Sequence, residues 1–335
     1  MRFDLFWLLD RYLDETAAGV TARVLDETRR ADALGFEGCW YAEHHFSDYG
    51  VCPAPAVLMA AAAATTTRVR LGAAVAVLPL NNPIRLAEDY ATVDVISGGR
   101  LDLGVGTGFL HDEYAGFAVP HSERRERFDE SLELLSGLWG DGIADRAGGV
   151  CPGPAVSLNL RPVQRPRPPI WIAVVRAEAV RPVARRGYPI LTLPYAFRLG
   201  DRQLELFGEA YRSTYAGLAP PGLTAAYHAY VAPTARAARA AVVPYLDRYL
   251  EHRVQQARFR PEDVLDEGLA IVGDAAACVD RIRRLKRAGV THLLLMMSFG
   301  GMPPEMARES MERMAHEVMP EFQGVTHGNA AHLAT

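Results

Sequence analysis

Cysteine is scarce in this chain of 335 residues: the four thiols, Cys39, Cys52, Cys151 and Cys278, lie far apart. That spacing gives no CxxC pair and no paired metal-type spacing, so the thiols read as reduced and packed rather than as a disulfide framework. Long apolar runs are missing too. The longest, Ala54 to Ala64, falls well short of the ~20 residues a spanning helix needs. Between Met1 and Glu15 there is only a short apolar run, broken by Asp4 and closed by Asp10 and Arg11, with no small-residue cleavage site. The expectation is a cytoplasmic protein with no membrane partner. Positive charge is not in excess either: the net charge is −4 and the sequence pI near 6.2, which argues against nucleic acid. No G-x-S-x-G or Walker motif is present.

What the chain does have is material for a large core, with 49% hydrophobic and 23% charged residues. Its pattern is an alternation of strand and helix. Arg2–Leu9 reads as a strand, Thr16–Leu34 as a helix stopped by Gly35, and "EGCWYAEHH" (Glu37–His45) as a second strand. Pro53 opens an alanine-rich helix. "VRLGAAVAVLP" (Val69–Pro79) is apolar throughout, as a parallel strand covered on both faces should be. Pro83 starts a helix that "SGG" (Ser97–Gly99) closes, Arg100–Gly108 is a fourth strand, and His121–Trp139 is helical. A proline- and glycine-rich excursion at about 140–168 holds one strand-like piece, "AVSLNLRPV". The alternation then resumes with "PIWIAVV", a helix from Ala177, "PILTLP", a helix over Arg202–Tyr215, "LTAAYHAYVAP", and a helix over Ala235–Arg258. Asp274 N-caps a further helix ended by Gly289, "THLLLMMSF" is the last strand, and Pro304–Met319 closes the chain. That makes eight strands. The fold expected is a (β/α)8 TIM barrel, a single domain over 1–320 with an insertion between strands four and five, and a frayed tail over 321–335.

In such a barrel, chemistry sits at the C-terminal ends of the strands. Glu43, His44 and His45 lie at one of those ends. Alternation groups His44 with Trp40 and Ala42, and His45 with Tyr41 and Glu43, so adjacent histidines on opposite faces make a poor metal site. On position alone, histidines that merely satisfy buried polar groups are as good a reading. "GVGTG" (Gly104–Gly108) is not a dinucleotide fingerprint, because the last spacing is wrong and "FLHDEYAGF" follows rather than a helix start. Its glycines let a flat ligand approach the backbone, or simply make a turn. Arg176, before a helix, suits a phosphate, although solvated arginines are the commoner reading. "HDE" (His111–Glu113) reads as a loop charge cluster rather than as metal ligands.

Together, "GFEGCWYAEHHF", "LGAAVAVLPLNNPIRLAEDYATVDVISGGRLDLGVGTG" and "GVTHLLLMMSFGG…EVMP" resemble the bacterial luciferase-like family of flavin-dependent monooxygenases. The resemblance is dense over the first 140 residues and returns from about residue 168. It implies a barrel that binds reduced FMN, which with O2 gives a flavin hydroperoxide that oxidises an organic substrate. No metal is implied. It further implies His44 as the catalytic residue with Glu43 and His45 behind it, a non-prolyl cis peptide at Ala74–Val75 beneath the flavin, and Gly106 under its reactive edge. Around the phosphate the chain departs from the family pattern. The family's arginine is Thr107 here, a serine next to Val175 becomes Arg176, and a threonine becomes Ala179, while Arg125 keeps its identity. Arg125 and Arg176 are therefore the expected phosphate contacts.

Finding no second nucleotide-binding unit, we expect a separate NAD(P)H:flavin reductase to supply FMNH2. The family also implies a homodimer, for which the helix after Pro53 offers a face. A deazaflavin-dependent oxidoreductase, or a non-catalytic flavin-binding partner subunit, are the alternatives. Aromatic residues on the strand-end loops (Phe109, Tyr114, Phe117, Tyr195, Phe197) favour an apolar or aromatic small-molecule substrate.

Overall fold

Small residues and one tryptophan decide how this chain closes on itself. In the computed structural model, residues 1–12, 15–140, 142–144, 149–214, 222–252 and 260–323 are described. Among them are strands β1 (Arg2–Trp7), β2 (Gly38–Tyr41), β3 (Arg70–Val77), β4 (Leu101–Gly106), β5 (Ile143–Ala144), β6 (Val156–Ser157), β7 (Ile170–Ala173), β8 (Ile190–Thr192), β9 (Leu223–Val231), β10 (Ala270–Gly273) and β11 (His292–Met296). Parallel pairings run β1–β2–β3–β4–β7–β8–β9–β11 and return to β1, closing a barrel of the eight strands expected from the sequence. Helices lie between successive strands, so the fold is a (β/α)8 barrel and an open sheet is excluded.

The caps follow the residues that prompted them. Thr16 accepts from the Gly19 amide and Asp274 from the Ala277 amide, while Gly35, Gly98 and Gly289 end their helices in the left-handed region. Trp40 fills the lower barrel. A Cβ on Gly72 would lie 2.2 Å from its ring, and its Nε1 donates to Asp4 at 2.7 Å. Below it, Arg2 pairs with both Asp4 and Asp102 at 2.7 Å, and Arg70 pairs with Asp102 at 2.8 Å. Burial alone would raise the Asp102 carboxyl, but the two guanidinia outweigh it and hold Asp102 below the ordinary range. This plugged N-terminal end is structural and leaves the opposite end for chemistry.

Four sequence expectations are corrected. β2 stops at Tyr41, so Glu43, His44 and His45 lie on the loop beyond it. "AVSLNLRPV" is a strand only at Val156–Ser157, paired antiparallel with β5; the amides of Val163 and Gln164 go instead to the buried Asp94 carboxylate at 2.8 and 3.0 Å. A ninth strand in the main sheet, β10, was not read from the sequence. It pairs with the C-terminal half of β9, His228–Val231, beyond the reach of β8. A short helix, His111–Gly116, does follow β4.

Chain order continues through a 3-10 turn at Met319–Phe322, where Phe322 packs on Phe3 with ring centroids 5.6 Å apart. The rest of the expected tail, 324–335, and the end of the expected helix at 253–258 lie outside the described residues. No helix among the described residues is long and apolar enough to cross a membrane.

Candidate active site

Backbone strain marks one end of the barrel. Among the described residues, the non-glycine positions with positive φ are Leu9 (59°), Phe46 (60°), Ala118 (53°) and Arg198 (50°). Leu9 and Phe46 lie on the loops directly after β1 and β2, and Ala118 and Arg198 follow the short helices His111–Gly116 and Pro194–Phe197 in the connections that leave β4 and β8. Such conformations persist only where the surroundings impose them, and they gather at functional sites.

His44 sits on the loop after β2. Its Nδ1 lies 3.0 Å from Glu113 Oε1, and its ring meets Tyr49 edge-on with centroids 4.6 Å apart. Gly50 makes room for it: a Cβ there would stand 3.0 Å from His44 Cδ2 and 2.8 Å from the Leu8 carbonyl oxygen. Nε2 makes no hydrogen bond with any described residue, and the side chain keeps 11% exposure. That nitrogen is the open one. His45 turns the other way, towards Glu43 (Nε2 to Oε1, 3.2 Å) and the edge of Phe117 (4.8 Å). Glu43 is buried and ties two segments together, accepting from the Val77 amide at 3.2 Å and from Asn81 Nδ2 at 2.9 Å. Glu43 and His45 therefore hold the loop, whereas His44 presents an atom to the outside.

Beside them β3 carries a bulge: the register with β4 shifts between Ala73 and Ala76, and the intervening Ala74–Val75 peptide is cis, as expected. Ala74, Val75 and Thr107 are part-exposed. Gly106 faces Val75 so closely that a Cβ would stand 2.7 Å from Val75 Cγ2 and 3.4 Å from Ala173 Cβ. The Thr107 carbonyl accepts a short hydrogen bond from the Tyr114 hydroxyl, which anchors the loop after β4. Burial pushes that phenol up to about 12.

Arg176 is the N-cap of the helix Ala177–Arg185, with Val175 half-buried before it, and Arg125 lies in the first turn of the helix Arg124–Trp139. Both guanidinium groups are exposed, and neither has a hydrogen bond or ion pair with a described residue. β4 and β7, which lead to these helices, are neighbours in the sheet.

Two participants were missed from the sequence. Glu113, dismissed there as part of a charge cluster, is 2% exposed and touches both His44 and His45. Phe46, 66% exposed, packs on Phe117 with centroids 5.2 Å apart, so with Phe109 it forms an aromatic rim. Of the aromatics expected at the rim, Tyr114 and Tyr195 are instead buried, at 1% and 2% exposure, and serve packing. Among the described residues, no three histidine, cysteine, aspartate or glutamate side chains converge as metal ligands.

Comparisons with known proteins bear on the fold and the family. An uncharacterized protein of Sinorhizobium fredii, y4vJ, is 35% identical over 189 residues, which is 56% of this chain and about half (54%) of that relative's length. The oxygenase component of a flavin-dependent trigonelline monooxygenase from Acinetobacter baylyi is 28% identical across 96% of each chain. The crystal structure of the monooxygenase RslO1 from Streptomyces bottropensis, 26% identical, superposes with a TM-score of 0.81 over 96% of this chain and 100% of that one. A family model described as luciferase-like monooxygenase matches residues 1–292, and the chain belongs to that family.

Proposed function

We propose that this protein is a flavin-dependent monooxygenase that takes FMNH2 from a separate NAD(P)H:flavin reductase and oxidises an apolar or aromatic small molecule. The observation that carries the reading is the close approach of Val75 and Gly106, bare of side chain at Gly106, on strands β3 and β4, whose sheet neighbours β2 and β7 lead to the open His44 Nε2 and the unpaired Arg176. A flat ring system fits against such a face, and two free guanidinium groups suit a monophosphate. The donor set therefore fits FMN. When bound, reduced FMN supplies the electrons that activate O2.

The chain's own residues do the rest. Ala74, Val75, Gly106 and Thr107 would carry the ring, and Arg125 and Arg176 the phosphate. Phe46, Phe109 and Phe117 give the rim an apolar surface that favours an apolar or aromatic substrate and keeps water out. His44 Nε2 exchanges a proton with the substrate oxygen, general acid–base work that a positioned imidazole can do. The Acinetobacter relative is itself named as an oxygenase component, which supports a two-component arrangement here. For the assembly we favour a homodimer through the helices Pro55–Ala63 and Pro83–Ser97, where Val57, Val95 and Ile96 are exposed at 71%, 40% and 50%.

The test is to mix the protein with photoreduced FMN and then admit O2. A delay before the oxidised-flavin absorbance returns, relative to free FMN, supports the reading. Reoxidation at the rate of free FMN rejects it, and binding of a deazaflavin in preference to FMN redirects it to hydride transfer.

A further inference from the structure

Glu113 is a carboxylate with 2% exposure on the short helix His111–Gly116. Burying an ionised carboxylate is costly unless it is paired, and among the described residues no arginine or lysine pairs with it. Its partners are the two histidines. One oxygen, Oε1, lies 3.0 Å from His44 Nδ1 and accepts the His45 backbone N–H at 2.9 Å. The backbone donor cannot turn away, so it fixes the carboxylate in place. An ionised carboxylate only accepts hydrogen bonds, so the nitrogen facing it must be the donor.

We propose that Glu113 is the positioning residue for His44. It holds the imidazole proton on Nδ1 and thereby leaves Nε2 as the nitrogen presented at the barrel mouth. The proposal rests on the role given above to His44. Three contacts make the arrangement specific. Tyr49 packs edge-on against the ring at 4.6 Å, and Gly50 approaches so closely that a Cβ there would stand 3.0 Å from Cδ2. Tyr114, next to Glu113, bonds back to the Thr107 carbonyl and fixes the short helix His111–Gly116 that carries the glutamate. A proton taken up at Nε2 creates an imidazolium whose charge Glu113 offsets; when that proton is given up, the neutral ring returns with its Nδ1–H unchanged.

The test needs neither flavin nor substrate. Protein labelled with nitrogen-15 at histidine gives long-range proton–nitrogen spectra in which the His44 signals are those lost in His44→Gln. The expected result is a protonated Nδ1; a bare Nδ1 overturns the proposal. Both bonds end on Oε1, so Glu113→Gln can keep them by leaving its carbonyl oxygen there and serves as the control, whereas Glu113→Ala removes the acceptor that holds the proton on Nδ1. The His44 proton is then expected on Nε2, with kcat down about 100-fold or more and the KM for reduced FMN changed by no more than about threefold. A moved proton with unchanged kcat would also overturn the role. Should Glu113→Ala fail to fold, the wild-type spectrum still decides. Wild-type protein that oxidises no substrate would count against the monooxygenase reading and leave the nitrogen spectrum as it is.

Discussion

Val75 and Gly106, on adjacent strands, meet so closely that a methyl group on Gly106 would come within 2.7 Å of Val75 Cγ2. The neighbouring Cβ, on Ala173, would be 3.4 Å away, so the space has no room for a side chain from β4. Gly106 itself is buried and lies outside the left-handed region, so the absence of a side chain, rather than a special backbone conformation, is what this position requires.

Gly106→Ala tests that requirement. Val75 must move, and overpacking of this kind costs about 1–3 kcal/mol. Because the displaced surface is the one proposed to carry the flavin ring, the Kd for reduced FMN is expected to rise about tenfold. Fluorescence titration under anaerobic conditions checks it. Wild-type affinity in the variant would remove Gly106 from the flavin face.

His44→Ala separates chemistry from binding. The imidazole makes one ion-pair contact, to Glu113, and its removal leaves the Val75–Gly106 face untouched. Substrate oxidation is expected to fall about 100-fold or more, with the affinity for reduced FMN close to wild type. Single-turnover oxidation with bound reduced FMN is the measurement, and unchanged turnover would exclude His44 from the reaction.

The barrel could be read from the sequence because its signals are local: apolar runs of strand length, caps such as Thr16 and Asp274, and the glycines that stop helices. β10 escaped because its partner is the overhang of β9, a long-range fact that no local pattern announces. The "AVSLNLRPV" stretch looked like a strand because its apolar residues alternate, but a distant carboxylate, Asp94, claims the amides at its end. Glu113 was hidden by its charged neighbours. The available signal was periodicity: Leu110, Glu113 and Tyr114 stand at i, i+3 and i+4, and all three are buried. A glutamate on the apolar face of a short helix has a partner to find, and here that partner is the histidine already suspected.

Arg125→Ala and Arg176→Ala probe the phosphate end. Each guanidinium is exposed and free of carboxylate partners among the described residues, so neither removal should disturb the fold. A charged hydrogen bond to phosphate contributes about 1.5–3 kcal/mol, which corresponds to roughly a tenfold or greater loss of FMN affinity per variant. Reduced riboflavin, which lacks the phosphate, should bind wild type and both variants alike. Equal losses for the two flavins would show that the arginines act on something other than the phosphate.

His292, at the start of β11, sets an acid limit on stability. Burial and the nearby Arg2 guanidinium push its imidazole down to about 3, from an ordinary value of 6.5. The folded state thus disfavours the imidazolium, while the unfolded chain accepts a proton readily. Stability is full above pH 6.5 and falls as the pH drops from there towards about 3, by about 1.4 kcal/mol per unit where the difference in bound protons is one. Asp10 acts in the opposite sense. Burial raises its carboxyl from 3.8 to about 6, so its contribution is full below 3.8 and is lost as the pH rises towards 6. The wild-type curve mixes the two, and the difference between wild type and His292→Gln isolates one. Urea unfolding at pH 7 and pH 5 should show the wild type losing about 1–2 kcal/mol more than the variant on acidification. Parallel curves would mean that His292 is protonated as easily in the folded state as in the unfolded one.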